Sequence, residues 1–236
     1  MSQVDPQLFR SLQEYNRVLG QRNPLLKAIR ENRSHVDELD YWDKGLVKAG
    51  AVVVNARRDA LLRLDTLASE IHCALTADAE QLSLTYLPSL SGAVESEADK
   101  VEALFANALQ NAREREIAQG TTIVGPHRDD FTFANNDVSL ASFGSRGQQR
   151  LATLAIKLAE ARLMEERTGE QPVLLLDDVL SELDPTRRSY LTNRIKQQDQ
   201  AIVTTADISA FEPAFLDESR VLLVSAGTVK ADRPSA

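Results

Sequence analysis

An α/β lobe with a partly parallel sheet, joined to an all-α antiparallel helical arm, is the fold class that this sequence predicts. Three observations carry the prediction. Apolar residues keep helical spacing through most of the first 120 positions, the texture changes to short strands and turns near Thr121, and the order after that runs strand, helix, strand. Residues 1–120 are accordingly assigned to the arm and 121–236 to the lobe.

In the arm, Asp5-Pro6 supplies a cap and a first-turn proline, and Leu8, Leu12, Tyr15 and Leu19 follow at helical spacing. Pro24 is expected to interrupt this helix before Leu25, Leu26 and Ile29 resume the pattern. A long helix is expected from Tyr41 to Ala77. Its apolar stripe is Val53, Ala56, Ala60, Leu61, Leu64, Leu67 and Ile71, with Arg57, Arg58, Arg63 and Glu70 opposite. Gln81-Leu-Ser-Leu-Thr-Tyr86 alternates as a short strand, and Pro88 to Gly92 is a break. A further helix from Glu95 to Gln119 turns Val101, Leu104, Phe105 and Leu109 inward, with Gly120 as its cap. The charged faces read first as solvated surface, because charges opposite an apolar stripe are the default.

In the lobe, Thr121 to Phe133 is expected to form two strands around a Gly125-Pro126 loop, and Asn135-Asn-Asp137 a hairpin turn. Leu151, Leu154, Ala155, Leu158 and Ala161 make a helical stripe that ends at Gly169. The apolar run Val173 to Leu176 has the pattern of a strand covered on both faces. Asp184-Pro185 opens the next helix, Ala201 to Thr205 is a second buried strand, and Val221 to Val224 with Thr228-Val229 flanks a closing hairpin turn. A strand-helix-strand order implies a right-handed crossover.

Bulk composition is that of an ordinary globular protein, 43% hydrophobic and 26% charged. A formal net charge of −8 gives no overall attraction to nucleic acid, so a DNA contact needs a local basic patch. A lone Cys73, a start without a secretion-signal pattern, and no apolar run of membrane-spanning length read as a soluble cytoplasmic protein without a membrane segment.

The chemistry concentrates between 142 and 184. Ser142-Phe-Gly-Ser-Arg-Gly-Gln-Gln-Arg150 is a small-residue loop opening a helix. Gly144, Ser145 and Gly147 let backbone approach an anion, the helix start offers unpaired N–H groups, and Arg146 and Arg150 add charge. By itself such a loop is also an ordinary turn. Pro172-Val-Leu-Leu-Leu-Asp-Asp-Val-Leu-Ser-Glu-Leu-Asp184 delivers Asp177 to the C-terminal end of a strand, where α/β sheets bind ligands. Asp177 can hold a Mg²⁺-bound water and Asp178 can orient or deprotonate an attacking water; either can equally cap a turn. Asp184 is explained in full as an N-cap. The cluster His127, Arg128, Asp129 and Asp130 reads as a salt-linked structural loop, since Arg128 in its middle argues against a metal site. His35 and His72 are placed on helical surfaces. No lysine follows a glycine anywhere, so the phosphate-cradling Gly-x-x-x-x-Gly-Lys-Ser/Thr loop that should precede these motifs is not among these residues. The chain reads as part of a nucleotide machine.

These residues resemble the RecF family of the ABC/SMC ATPase group. The resemblance lies in Gly-Pro-His-Arg-Asp-Asp at 125–130, Phe-Gly-Ser-Arg-Gly-Gln-Gln-Arg at 143–150 and Leu-Leu-Leu-Asp-Asp-Val-Leu-Ser-Glu-Leu-Asp at 174–184. Gln21-Arg22-Asn23 before Leu25-Leu26-Lys27 adds to it, and the match covers essentially the whole chain. It implies an ABC-type ATPase lobe behind a helical arm, with ATP and Mg²⁺ as cofactors. Ser145, Gly147 and Gln148 are then the signature that meets a γ-phosphate held by the other protomer of a homodimer. Asp177 is the Walker B metal carboxylate, and Asp178 stands where many ABC ATPases use glutamate. Asp184 closes the D-loop, and Thr204 or Thr205, with Thr205 preferred, lies near the switch position. The resemblance further implies DNA clamping at gapped or single-strand/double-strand junctions, with RecR and RecO as partners in DNA repair and recombination. Arg57, Arg58, Arg63, Arg113 and Arg115 are the candidate phosphate contacts. A non-catalytic interaction module, or half of a split ATPase, is the alternative.

Overall fold

The computed structural model describes residues 5–231, the side chain of Glu182 excepted. Packing divides the chain into two compact units, 1–170 and 171–236.

Among its described residues the first unit is built on four long helices. Helix α1, Pro6–Arg30, starts at Asp5, whose carboxylate accepts from the Gln7 and Leu8 amides at 2.9 and 3.0 Å. Pro24 lies inside this helix rather than interrupting it. A proline costs one i→i−4 bond, and here tertiary bonds from the adjoining residues hold the chain in place. Arg22 bonds Asp43 and Thr122, and Asn23 accepts from the Thr122 amide. Helix α2, Leu39–Thr76, spans 38 residues, about 57 Å at the standard rise. It packs against α1 and against α3, Val101–Gln119.

Helix α3 starts later than the periodicity implied, after a 3₁₀ turn at Ala98–Lys100. Arg58 of α2 explains the delay: its guanidinium donates to the Ser96 carbonyl at 2.8 Å and takes up backbone that a helix would use. Strand β1, Leu82–Leu87, pairs antiparallel with β2, Asp130–Asn135, in register from Leu82↔Asn135 to Leu87↔Asp130. The predicted turn at 135–137 joins β2 to β3, Val138–Ser139, through Asn136 and Asp137, both at positive φ.

No strand forms at 121–125. Its amides go to side chains instead: Thr122 to Asn23, Ile123 to Glu116 and Gly125 to Ser89, each at 2.8 Å. After the short helix α4, Leu140–Phe143, helix α5, Arg146–Thr168, lies along α2 with Leu151, Leu154, Ala155, Leu158 and Leu163 buried. Bidentate Arg63–Glu166 bonds at 2.5 and 2.9 Å and an Arg162–Glu70 bond at 3.0 Å line the same seam. This packing puts the boundary between compact units after Glu170, whereas the change of sequence texture falls near Thr121.

The core of this unit joins Tyr15 and Val18 of α1, Leu46 and Val54 of α2, Tyr86 and Leu90, and Val101, Phe105 and Leu109 of α3. Burying a side chain of this size stabilises by roughly 1.5–3 kcal/mol. The Phe105 ring occupies space that only two glycines leave: a Cβ at Gly50 or Gly125 would run into it. His72, expected on a helical surface, is fully buried. It sits one turn from the C-terminal end of α2, where the chain folds back into β1.

In the second unit β4, Leu174–Asp177, pairs parallel with β5, Ala201–Thr204, and helix α6, Pro185–Lys196, lies between them in sequence. The crossover follows the predicted order. The expectation of a strand covered on both faces is corrected. Leu174 and Leu176 are buried, but Leu175 is 69% exposed and Ile202 beside it 53%. An apolar run thus marks the strand but does not tell whether one face or both are covered. Helix α7, Pro213–Asp217, and the hairpin β6, Leu222–Ser225, with β7, Thr228–Ala231, complete the unit. Leu223 and Val224 of that hairpin are exposed as well. No described helix is long and apolar enough to cross a membrane.

Candidate functional site

Ser145 is the N-cap of α5, and the local chemistry requires it there. Its hydroxyl accepts from the Gln148 amide at 3.2 Å while the Gln148 side-chain oxygen accepts from the Ser145 amide at 3.0 Å, a reciprocal capping box. Gly144 rests on Leu140, where a Cβ would come within 2.6 Å of the Leu140 carbonyl oxygen. Gly147 faces open space, with nothing but the Ser145 hydroxyl at 4.0 Å near its missing Cβ. Ser145, Arg146 and Gly147 are exposed. The first turn of a 23-residue helix therefore presents its dipole end and free amides beside a glycine that admits close approach, a donor set that fits a phosphate.

In the second unit the parallel register sets Asp177 opposite Thr204. The Thr204 hydroxyl donates to the Asp177 carboxylate, and the Asp178 amide reaches the Thr204 carbonyl at 3.1 Å. Asp178 has φ +48°, a left-handed conformation that aspartate tolerates better than most residues, so the chain turns sharply after the strand. Asp177 and Asp178 are both exposed at this strand end. Among the described residues no three His, Cys, Asp or Glu side chains converge as a metal cage. A magnesium ion on a triphosphate commonly takes one or two carboxylates and keeps water and phosphate oxygens for the rest. Asp177, steadied by Thr204, fits that requirement.

Asp184 caps α6 by accepting from the Arg187 amide at 3.0 Å, and Ser181 donates to the Asp178 carbonyl at 2.9 Å. Thr205, the preferred switch residue, is engaged in its own loop with Asp207, at 3.1 Å in both directions. Thr204 is the threonine on Asp177. The parallel register puts position 204 beside the partner aspartate, and 205 lies beyond the strand.

The 125–130 segment turns out to be knitted to the arm. Gly125 exchanges bonds with Ser89, and Asp129 accepts from the Tyr86 hydroxyl and, at 2.8 Å, from the Ser89 amide. The Asp129–Arg57 approach is 3.6 Å. His127 bridges Tyr15 at 2.6 Å through Nδ1 and the Thr122 carbonyl at 3.0 Å through Nε2. The neutral Nε2–H tautomer satisfies both contacts.

Burial of the ring pushes the His127 pKa below its ordinary value. The unfolded chain then binds the extra proton between the lowered pKa and the ordinary value of about 6.5, so stability falls as pH drops through that window. We expect unfolding free energy to decline below about pH 6.5 and the decline to flatten in His127→Gln. Chemical denaturation at pH 5 to 8 checks it, and identical slopes for both proteins would remove His127 from the account.

Four of the five candidate DNA-contact arginines are engaged within the protein. Arg57 donates to the Pro126 carbonyl, Arg58 to Ser96, Arg63 to Glu166, and Arg113 to Asp40 and Asp43 at 2.7 and 2.8 Å. Arg115 is exposed. A helical pattern marks which face an arginine occupies, but the partner comes from elements distant in sequence.

No family model matches the chain. The DNA replication and repair protein RecF of Roseiflexus castenholzii is 42% identical over 234 residues, which is 96% of this chain and 59% of that protein. RecF of Bacillus cereus strain B4264 is 37% identical over 233 residues, 98% of this chain and 62% of the relative. The chain thus spans about three fifths of the curated relatives it matches. Among solved structures, the recombination mediator protein RecF-ATP of the RecFOR pathway superposes with a TM-score of 0.84 at 32% identity, over 97% of this chain and 59% of that one. The RecF-ATPrS structure gives 0.83 at 32%, over 98% and 60%. Shared residues along nearly the full length, on a shared fold of helical arm and ABC-type lobe, place this chain in the RecF family, as a C-terminal region of its members.

Proposed function

We propose that this chain supplies the signature and the metal carboxylate of a RecF-type DNA replication and repair protein that binds ATP with Mg²⁺ and dimerises on it. The observation that carries the reading is the parallel β4–β5 pair, which presents Asp177 on Thr204 at a strand end in a chain 42% identical to a RecF protein. When bound, Mg²⁺ would neutralise charge on the phosphates. Asp177 offers the carboxylate for it, and Thr204 orients that carboxylate by donating to one oxygen. Asp178 orients and deprotonates the attacking water. Ser145, Gly147 and Gln148 present the start of α5 to the phosphate of the partner protomer, and Asp184 lies in the segment facing the dimer interface. DNA at gapped or single-strand/double-strand junctions is the substrate, RecR and RecO are the partners, and Arg115 is the candidate phosphate contact with the least internal engagement.

The 236 residues contain no Gly-Lys pair to cradle β- and γ-phosphates. We expect the polypeptide alone to show negligible Mg²⁺-ATPase. Mixed with a Walker A-bearing N-terminal fragment of a RecF relative, it should dimerise with ATP, and Asp178→Ala should abolish turnover while leaving dimerisation. In the same mixture Arg115→Glu should weaken binding to gapped DNA and flatten its salt dependence. Turnover by the lone polypeptide that Asp178→Ala removes would overturn the expectation that a Walker A-bearing fragment is needed, and turnover by the mixture that survives Asp178→Ala would overturn the role given to Asp178. Failure of the mixture to dimerise would overturn the assignment.

A further inference from the structure

We propose that Glu80 is a positioning residue for the signature loop, holding Gln148 in the rotamer that closes the Ser145 capping box. The proposal deepens the reading of 145–150 as a nucleotide-facing signature and rests on it for what the positioning serves. Gln148 is bound at both ends of its amide. Its oxygen accepts from the Ser145 backbone N–H at 3.0 Å, and its nitrogen donates to a Glu80 carboxylate oxygen at 3.0 Å. Backbone N–H can only donate and a carboxylate can only accept, so the two partners together allow one orientation of the amide. The bond to Glu80 is charge-assisted and stronger than a neutral pair.

Glu80 reaches Gln148 from 68 positions earlier in the chain, on the turn between α2 and β1. That turn is fixed to the end of the arm helix: the Glu80 carbonyl accepts from Thr76 Oγ1 at 3.4 Å and lies 3.6 Å from Cys73 Sγ. The other Glu80 carboxylate oxygen faces Nε2 of the fully buried His72 at 3.9 Å. Glu80 therefore stands between a buried imidazole of α2 and the first turn of α5. Without its carboxylate the Gln148 amide is free to rotate to solvent, and the Ser145 amide loses its acceptor. Position 80 lies far outside the signature in sequence, which is why no local pattern points to it.

Side-chain amide exchange tests this on the full 236-residue chain, with the Gln148 NH₂ signals identified by their loss in Gln148→Met. In Glu80→Leu, exchange at the Gln148 side chain and the Ser145 amide should rise about tenfold, the loss expected for one hydrogen bond of this kind. Glu80→Gln keeps an acceptor oxygen at the same reach and should preserve protection. If Glu80→Leu fails to fold by thermal melting, Glu80→Ser, too short to reach, takes its place. Unchanged exchange in the folded Leu or Ser variant overturns the proposal, as does equal acceleration in Glu80→Gln. A second readout, ATP-dependent dimerisation with the Walker A-bearing fragment, should weaken in Glu80→Leu and recover in Glu80→Gln. If the wild-type mixture does not dimerise at all, the signature reading fails, while the exchange result still decides whether Glu80 holds Gln148.

Discussion

Replacing Arg22 with methionine is expected to cost about 3–5 kcal/mol of unfolding free energy, the range for breaking a buried ion pair from one side. Arg22 and Glu116 are both 0% exposed, and their Nη2 and Oε2 lie 2.7 Å apart, off the hydrogen-bond axis. The same guanidinium donates through Nε to Asp43 at 2.7 Å and through Nη1 to Thr122 at 2.8 Å. One planar group thus ties α1 to α2, α3 and the 121–125 segment. Methionine fills the volume but leaves the Glu116 carboxylate without its cation, and removing a buried charge's partner costs more than the pair contributes by existing. Lysine should not rescue, because one ammonium cannot present three donors in the fixed fork that these partners require. Adding Glu116→Gln to Arg22→Met should recover much of the loss, since Gln keeps an oxygen for the Ile123 amide that Glu116 now serves at 2.8 Å. Urea denaturation of the single and double variants measures the coupling. A loss under about 1 kcal/mol for Arg22→Met would mean the network is solvated and the argument wrong.

Gly125→Ala is the second large effect, expected at about 3 kcal/mol or more from two sources that add. The backbone stands at φ +122° and ψ 174°, a region essentially reserved for glycine, and forcing another residue there costs about 1–3 kcal/mol. A Cβ would also lie 2.5 Å from the Tyr15 hydroxyl oxygen and 2.7 Å from Phe105, two core side chains, and overpacking of this kind costs about 1–3 kcal/mol more. Because the Tyr15 hydroxyl is held to His127, the variant should also disturb that contact, visible as a shift of the His127 ring resonances. A melting curve unchanged within error, with those resonances unmoved, would show that the loop yields at little cost.

Both positions bear on how much could be read in advance. Gly125 and Arg22 sit in stretches that the sequence singled out, yet neither role was legible. The 125–130 cluster read as a salt-linked loop, and Asp129 with Arg57 agrees with that in part. The tyrosines that complete it come from α1 and β1, more than 40 residues away. Pro24 shows the opposite failure. A local rule called for a break, and three bonds to residues 43 and 122 overrode it. His72 was misplaced for a related reason. Spacing along a helix tells which residues share a face, but the return of the chain at residues 77–82 covers a side that the stripe leaves polar.

What the sequence by itself determined is whatever depends on neighbours within a few positions. The caps at Asp5, Ser145 and Asp184 are such features, as are the extent of α2 and α5, the turn at Asn136-Asp137, and the placing of Asp177 at a strand end. Backbone hydrogen bonding and side-chain period act over one or two turns, so composition and spacing encode them directly. Only the tertiary structure decided which threonine meets Asp177, which arginines are already engaged by carboxylates or carbonyls, and that Glu80 grips Gln148. Those contacts join residues tens of positions apart. Their existence depends on how helices and strands pack, which no local pattern records.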